Sequence, residues 1–223
     1  AVQAGVGNVR GSLGVTTVGT SAIFGAISGV SAATVATVGR IMVPAMRRAN
    51  YPEHFSAGLI TAVGAIDVII PPSVPMIVYG VAAQESVPRL YAAGIVPGLL
   101  IGLMLALYVV WYARRAGIPG GAPFNTGRFL TALRRGLWAL GAPVIILGGI
   151  YGGVFSPTEA AAVACVYAAL VTRFIYRELS WRDIVAAASQ TAYFTAQILI
   201  VVACASIFAW LLTVNQVPAA LVG

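Results

Sequence analysis

The chain has 223 residues, of which 60% are apolar and only 9% are charged. A soluble domain carries about 25% charged residues, and this chain has too few to cover a surface in water. The composition therefore excludes an ordinary soluble domain and indicates a lipid-facing surface. The net charge of +7 comes from 13 arginines and no lysine. These lie in short clusters between apolar runs, as in cytoplasmic loops under the positive-inside rule, and argue against a nucleic-acid partner.

The first apolar run covers residues 11–39 and contains no charged residue. It is longer than the roughly 20 residues that one spanning helix needs. Its centre, residues 25–34, is unsuited to a continuous span because it holds two glycines and three hydroxyl residues. We therefore predict a re-entrant helical hairpin with its tip here. Non-helical backbone at this depth is tolerated only where protein or a cavity surrounds it.

The next apolar run, residues 52–85, is interrupted by Pro71, Pro72 and Pro75. Prolines remove amide donors and restrict the residue before them, so three within five positions break a helix. The pattern predicts two half-helices, roughly 53–66 and 74–84, joined by an unwound segment that begins at Asp67.

The remaining pattern predicts spans and surface helices in alternation. We expect a span at 91–112, a loop at 117–127 and an amphipathic surface helix at 128–141, whose arginines alternate with apolar residues. Apolar segments follow at 142–155 and 158–175, the second opened by a helix-start pattern at Ser156 to Glu159. An interfacial helix begins near Ser180, and the last span is roughly 190–213.

These segments give a domain plan for an all-α, multi-spanning membrane protein. Charge parity supports the hairpin, because a hairpin that returns to its own side places every arginine except Arg40 and Arg89 on one face. The predicted parts are 1–50, the re-entrant hairpin; 51–89, the broken helix; 90–115, a transmembrane helix; 116–141, a cytoplasmic loop and surface helix; 142–178, a transmembrane helix pair; and 179–223, an interfacial helix and a transmembrane helix that start a second repeat.

Several segments, in order along the chain, resemble the large permease (M) subunit of TRAP transporters. They are FGAISGVS at 24–31, IMVPAM at 41–46, IIPPSVPMIVYG at 69–80, AGIVPGLL at 93–100, PVIILGGI at 143–150 and FSPTEAA at 155–161. The resemblance covers nearly the whole chain, so it is more specific than any single motif. It implies half of an inverted-repeat, elevator-type transporter, and we expect the chain to be a fragment that lacks the N-terminal part and the second repeat.

The resemblance also implies a function and partners. It implies sodium-coupled uptake of small organic acids across the bacterial inner membrane, delivered by a periplasmic binding protein and assisted by a small membrane (Q) subunit. Dicarboxylates, sialic acids and keto acids all fit, and no cofactor is expected apart from the coupling sodium ion. Two positions depart from the family pattern. Many members have aspartate near Thr34 and glycine at the position of Asp67, and this chain has neither.

Sodium is a hard cation that oxygen atoms bind best, as they do calcium and magnesium. Unwound backbone supplies carbonyl oxygens, and half-helix ends add partial charges for ions and carboxylates. We hypothesise that the hairpin tip and the proline break converge on one sodium ion. The alternative is that the small residues only permit close helix packing. The predicted sodium ligands are Ser28, Gly29, Ser31, Thr34, Ala65, Asp67, Pro72 and Ser73, and Ser31 and Ser73 are also predicted to contact the substrate.

Asp67 is the residue with the most open interpretations. A carboxylate beside unwound backbone in a membrane is costly and usually faces a cavity or a partner. It could be an ion ligand, a proton-linked group or a partner of an arginine, or it could be hydrated near the surface.

Two other classes of function compete with transport. An intramembrane serine protease would need a histidine beside a serine such as Ser31, and His54 is the only histidine. A purely structural membrane subunit would have no use for two broken elements. We therefore expect a permease and not an enzyme.

Overall fold

The computed structural model describes residues 10–118, 120 and 126–217, and it describes only the backbone of residues 126, 128, 129, 132, 133 and 135. These residues form eight α-helices and no β-strand. The chain divides into two compact units, Ala1–Ala168 and Ala169–Gly223. The helices are α1 (Ser12–Ser28), α2 (Ser31–Arg48), α3 (Glu53–Ile69), α4 (Val74–Ala82), α5 (Val87–Arg115), α6 (Thr126–Tyr151), α7 (Pro157–Leu170, extended by a π-helical turn at Val171–Ile175) and α8 (Trp181–Val214).

Three helices in the described part of the chain are long and apolar enough to cross a membrane. They are α5, α7 with its π-helical turn, and α8. Helices α3 and α4 pass the same test as a pair bent by 43°, which corresponds to the predicted broken helix. Helix α1 is apolar but too short to count as a span. The predicted fold class, an all-α membrane protein, is confirmed.

Helices α1 and α2 form a hairpin. The Thr17 hydroxyl oxygen near the start of α1 lies 3.7 Å from the sulfur of Met46 near the end of α2, so the two helices run antiparallel. Only Gly29 and Val30 separate them. The predicted interruption within residues 25–34 is therefore confirmed, and it is confined to two residues.

The hairpin packs on α3 and α5 around one apolar core. Val63 and Ile66 of α3, Met46 of α2 and Val109 of α5 are each 0% exposed within this core. In the first turn of α3, the ring of Phe55 stacks on that of Tyr112 of α5, with centroids 3.9 Å apart. Because lipid is as apolar as these side chains, close van der Waals packing rather than removal from water holds the hairpin against the broken helix.

Two predicted boundaries do not appear in the backbone. The expected surface helix at 128–141 and the apolar segment after residue 142 belong to one helix, α6, which continues through Pro143. Likewise, the interfacial helix near Ser180 and the last span form one 34-residue helix, α8. A change from polar to apolar residues alters how much of the helix surface is exposed to water, but it breaks no backbone hydrogen bond, so the helix continues. In α8, no glycine or proline interrupts residues 181–214.

Candidate functional site

The hairpin tip is built around Gly29. Its φ of +62° lies in the left-handed region that favours glycine, and its N–H closes α1 by donating to the Gly25 carbonyl at 2.7 Å. Val30 is extended, and α2 begins at Ser31 without a side-chain cap. Gly29 and Val30 therefore leave the helical backbone conformation, and the first amides of α2 lack a capping side chain.

The proline break lies between Ile69 and Val74. The carbonyl oxygens of Ile70, Pro71 and Pro72 accept no hydrogen bond from the part of the chain that the structure describes. The Ser73 side chain is buried, and its hydroxyl donates to the Val68 carbonyl at 2.7 Å. The break thus presents bare carbonyl oxygens, which are suitable ligands for a hard cation.

Tip and break are in direct contact. The Val74 N–H, at the start of α4, donates to the Gly29 carbonyl at 3.2 Å. A Cβ added to Gly29 would lie 2.8 Å from the Pro72 carbonyl oxygen, so only glycine fits there. The contact brings together the C-terminal ends of α1 and α3 and the N-terminal ends of α2 and α4. The C-terminal end of a helix carries a partial negative charge, which favours a cation, and the N-terminal end carries a partial positive charge, which favours an anion.

A second contact joins the hairpin to α3 at Asp67. The Asp67 side chain occupies the space that a Cβ on Gly25 would need, and the Thr34 hydroxyl faces its carboxylate. Asp67 and Thr34 are both 0% exposed, which disagrees with the alternative of a hydrated Asp67. Among the described residues, no arginine pairs with the carboxylate, and the Thr34 hydroxyl is its polar side-chain neighbour. The two departures from the family pattern therefore face each other across one helix contact.

The structure brings together most, but not all, of the predicted site residues. Ser28, Gly29, Pro72 and Ser73 lie at the contact of tip and break. The Ser28 hydroxyl reaches the Val30 carbonyl at 3.5 Å. Ser31 begins α2 beside α3, with its Cβ 3.8 Å from the place of a Cβ on Gly64. Ala65 is exposed within the body of α3, on the opposite side from Asp67 because two helical positions differ by about 200°.

Helix α5 supplies a wall that the sequence interpretation missed. A Cβ on Gly94 would meet the Ile69 carbonyl oxygen and the Met76 side chain, and a Cβ on Gly98 would meet Ile70. Tyr91, one turn before Gly94, is 1% exposed and directs its hydroxyl toward the Ser73 amide. The signal was present as a Gly-xxx-Gly spacing, which lets another backbone approach closely.

The placement of His54 argues against a serine-protease site. His54 is exposed in the first turn of α3, whereas Ser31 lies beside Gly64. Ten residues of helix separate His54 from Gly64, or about 15 Å along the axis. The imidazole therefore lies too far away to activate the Ser31 hydroxyl.

Comparison with known proteins gives the family. Residues 1–223 match the family described as "Tripartite ATP-independent periplasmic transporter, DctM component". The chain belongs to the DctM family of TRAP transporter large permeases. It is 44% identical over 220 residues to the "Ectoine TRAP transporter large permease protein TeaC" of Halomonas elongata, covering 99% of this chain and 52% of that protein.

Other members of the DctM family align as well. Identity is 42% over 213 residues with the "C4-dicarboxylate TRAP transporter large permease protein DctM" of Pseudomonas aeruginosa, covering 96% of this chain and 50% of that protein. The identity is 43% over 214 residues with the "Isethionate TRAP transporter permease protein DctMQ" of Oleidesulfovibrio alaskensis, covering 96% of this chain and 34% of that protein. The chain thus spans about half the length of relatives such as TeaC, or less. It is a multi-pass membrane protein of a transporter family, as the resemblance implied.

Proposed function

We propose that the complete permease containing these residues takes up small organic acids across the bacterial inner membrane with sodium as the coupling ion. The observation that carries the proposal is the contact between Gly29 and the proline break. There, bare carbonyl oxygens meet four half-helix ends in a buried setting. Such broken-helix sites bind ions and carboxylates in secondary transporters.

The coupling ion is proposed to lie at this contact. Oxygen donors within it are the Pro72 carbonyl, which points at Gly29, and the hydroxyls of Ser28 and Ser31. Ser73 fixes the break by its bond to Val68, so its part in ion binding is to hold the carbonyls in place. Binding a cation would compensate the partial negative charge at the ends of α1 and α3.

The substrate is proposed to bind beside the ion through its acidic group. The N-terminal end of α2 lacks a side-chain cap, so its first amides and the Ser31 hydroxyl favour an anion there. At the start of α4 the Val74 amide already donates to the Gly29 carbonyl, and the next residue is a proline. Relatives are named for ectoine, isethionate and C4-dicarboxylates, compounds that each carry a carboxylate or a sulfonate. We therefore extend the expected class from carboxylic acids to small organic anions and zwitterions.

The proposed mechanism is an elevator movement with two partners. Helices α1 to α4 are assigned to the mobile unit because they carry both halves of the site, and α1, α2 and α3 also share one core. A periplasmic binding protein delivers the substrate, and a small membrane subunit, separate or fused, supports the large one. Sodium orders the tip and the break first, which creates the place for the substrate's acidic group.

The test is substrate uptake into proteoliposomes that contain the complete permease, the small subunit and the binding protein. We expect uptake under an inward sodium gradient and almost none under an equal potassium gradient. Ser28→Ala and Ser31→Ala should raise the half-saturating sodium concentration by about tenfold, the loss expected for one hydrogen-bonding or ligand group on a charge.

Ser206→Ala is the matched control. Its hydroxyl donates to the Val202 carbonyl on the exposed helix α8, so sodium dependence should equal that of the unmodified protein. Uptake driven equally well by potassium would overturn sodium coupling. An unchanged sodium requirement in both tip variants would remove the ion from this contact.

A further inference from the structure

An open groove lies between α6 and α7 in the first unit, away from the contact of tip and break. Its volume is about 310 Å³, at the lower end of the range for ligand pockets. It is lined by Leu137, Trp138, Leu140, Gly141, Val144 and Tyr167. Leu137 and Val144 are 58% and 69% exposed, so a molecule in the surrounding bilayer can reach the groove.

Tyr167 holds the two walls of the groove together. Its hydroxyl donates to the Trp138 carbonyl at 2.8 Å, and its ring occupies the space that a Cβ on Gly141 would need. The hydroxyl hydrogen of Tyr167 is thereby used. The other lining side chains are hydrocarbon, apart from the indole N–H of Trp138. Because apolar cavities exclude water, the groove suits a hydrocarbon chain rather than a polar solute.

An arginine stands at one end of the groove. The apolar part of α6 begins at Gly136, and the exposed Arg134 lies just before it. Arg134 is on the same face as Trp138 and Gly141, because residues four and seven positions apart are aligned along a helix. From Arg134 to Val144 the helix rises about 15 Å, which is half the thickness of the hydrocarbon core. The arginine and the groove together therefore match the depth of one lipid leaflet.

The polar groups at this end of the groove are hydrogen-bond donors. Besides the Arg134 guanidinium, the Trp138 indole N–H is a donor, and it has no acceptor in the part of the chain that the structure describes. No acidic residue lies between Glu85 and Glu159, so α5 and α6 contain no carboxylate for Arg134. Phosphate oxygens accept from guanidinium and indole donors alike. The ammonium group of a zwitterionic headgroup would be repelled by Arg134, whereas a headgroup of net negative charge is attracted.

We propose that the groove binds one acyl chain of an anionic phospholipid, whose phosphate is held by Arg134 and the Trp138 indole. Basic pockets between helices on the cytoplasmic side of a membrane bind such lipids, and the positive-inside rule assigns the arginines of α6 to that side. The lipid joins α6 to α7 on the face that the Tyr167 contact leaves open. The site is independent of the proposed sodium and substrate binding.

The test uses Trp138 as the reporter. The complete permease and its small subunit are prepared with every other tryptophan replaced by phenylalanine and are reconstituted in phosphatidylcholine vesicles. A small fraction of lipid with brominated chains, either phosphatidylglycerol or phosphatidylcholine, is included, and bromine quenches the fluorescence of an adjacent indole. We expect brominated phosphatidylglycerol to occupy the groove about fivefold more often than brominated phosphatidylcholine, the preference that one basic residue gives at a membrane surface.

Three variants of this reporter protein locate the preference. Arg134→Gln should abolish it, and Val144→Phe, which fills the groove from an exposed position, should do the same. Arg115→Gln is the matched control. The Arg115 guanidinium lies over the ring at position 111 of α5, 5.7 Å from its centroid, and Arg115 does not line the groove. The preference for phosphatidylglycerol should therefore persist in Arg115→Gln.

The outcomes decide for or against the lipid site. Loss of the preference in Arg134→Gln and Val144→Phe alone, with unfolding temperatures near that of the reporter protein, supports it. Equal quenching by the two lipids in the reporter protein would overturn it. A preference that survives in Val144→Phe would also overturn it, because Arg134 would then attract lipids without the groove. No quenching by either lipid would mean that another protein segment covers the groove, and the proposal would be wrong.

Discussion

The broken helices α1 to α4 and the long helix α8 differ in where their backbone hydrogen bonds go. Besides the loop between α2 and α3, the first region is interrupted at Gly29 and at the proline break, and it buries Asp67, Thr34 and Ser73 completely. Helix α8 runs 34 residues without interruption, and none of its residues is buried in the structure. An apolar span needs only length to satisfy its backbone. A broken helix leaves backbone N–H and C=O groups without helical partners, and these groups can bind an ion or a substrate.

The largest expected effect is at Gly29. Gly29 and Gly117 both have left-handed backbone, with φ of +62° and +66°, but only Gly29 has a neighbour within 4 Å at the Cβ position. Alanine at either site costs about 1–2 kcal/mol of backbone energy. Gly29→Ala should additionally push away Pro72, so uptake should fall by at least about tenfold while Gly117→Ala keeps uptake near normal.

Uptake and the temperature of unfolding, measured on both variants, separate backbone strain from the lost contact. Equal losses of uptake in the two variants would mean that the contact between tip and break has no special part in transport.

A smaller effect is expected where α5 supports the break. Gly98→Ala places its Cβ against the Ile70 side chain, and overpacking of this kind costs about 1–3 kcal/mol. Gly102→Ala is the control one turn later, because its nearest neighbour is Ile66 at 3.9 Å. It should be neutral or stabilise the helix by up to about 1 kcal/mol.

Measurements of thermal unfolding in detergent and of substrate uptake together test whether α5 supports the proline break. We expect a lower unfolding temperature and slower uptake only for Gly98→Ala. The same behaviour in both glycine variants would contradict a supporting contact at Gly98.

The smallest effect is expected at the start of α8. The Ser180 hydroxyl accepts from the Asp183 amide at 3.3 Å, and the Asp183 carboxylate accepts from the Ser180 amide at 2.8 Å. Ser180→Ala removes half of this capping box and should cost about 1 kcal/mol locally.

Faster hydrogen exchange in the first turn of α8, with unchanged uptake and sodium dependence, is the expected result. A changed sodium requirement in Ser180→Ala would mean that ion coupling extends into α8, and the contrast between the two regions would then fail.

Much of the fold could be predicted from residues alone. The glycines and hydroxyls of 25–34 and the three prolines of 71–75 located both breaks, because these residues act on the local backbone whatever surrounds them. The boundaries within α6 and α8 were less predictable. A change from polar to apolar residues looks like a boundary, yet the helical hydrogen bonds continue through it.

The site itself was only partly predictable. Ser28, Gly29, Pro72 and Ser73 were predicted from their chemistry and lie at the contact of tip and break, whereas the closely approached Gly25, Gly64, Gly94 and Gly98 could be recognised only from the backbone or side chain beside them. Ala65 was expected among the sodium ligands, but its side chain is exposed in the body of α3, and its carbonyl precedes the last four of the helix, which are the ones without an intrahelical partner.

The sequence by itself determined that this is a helical membrane protein with two interruptions, because composition and proline or glycine positions act locally. Only the tertiary structure decided that the interruptions touch, that Asp67 faces Thr34, and that α5 encloses the break. Those pairings join residues between 18 and 45 positions apart, and they depend on how helices pack rather than on any single segment's preference.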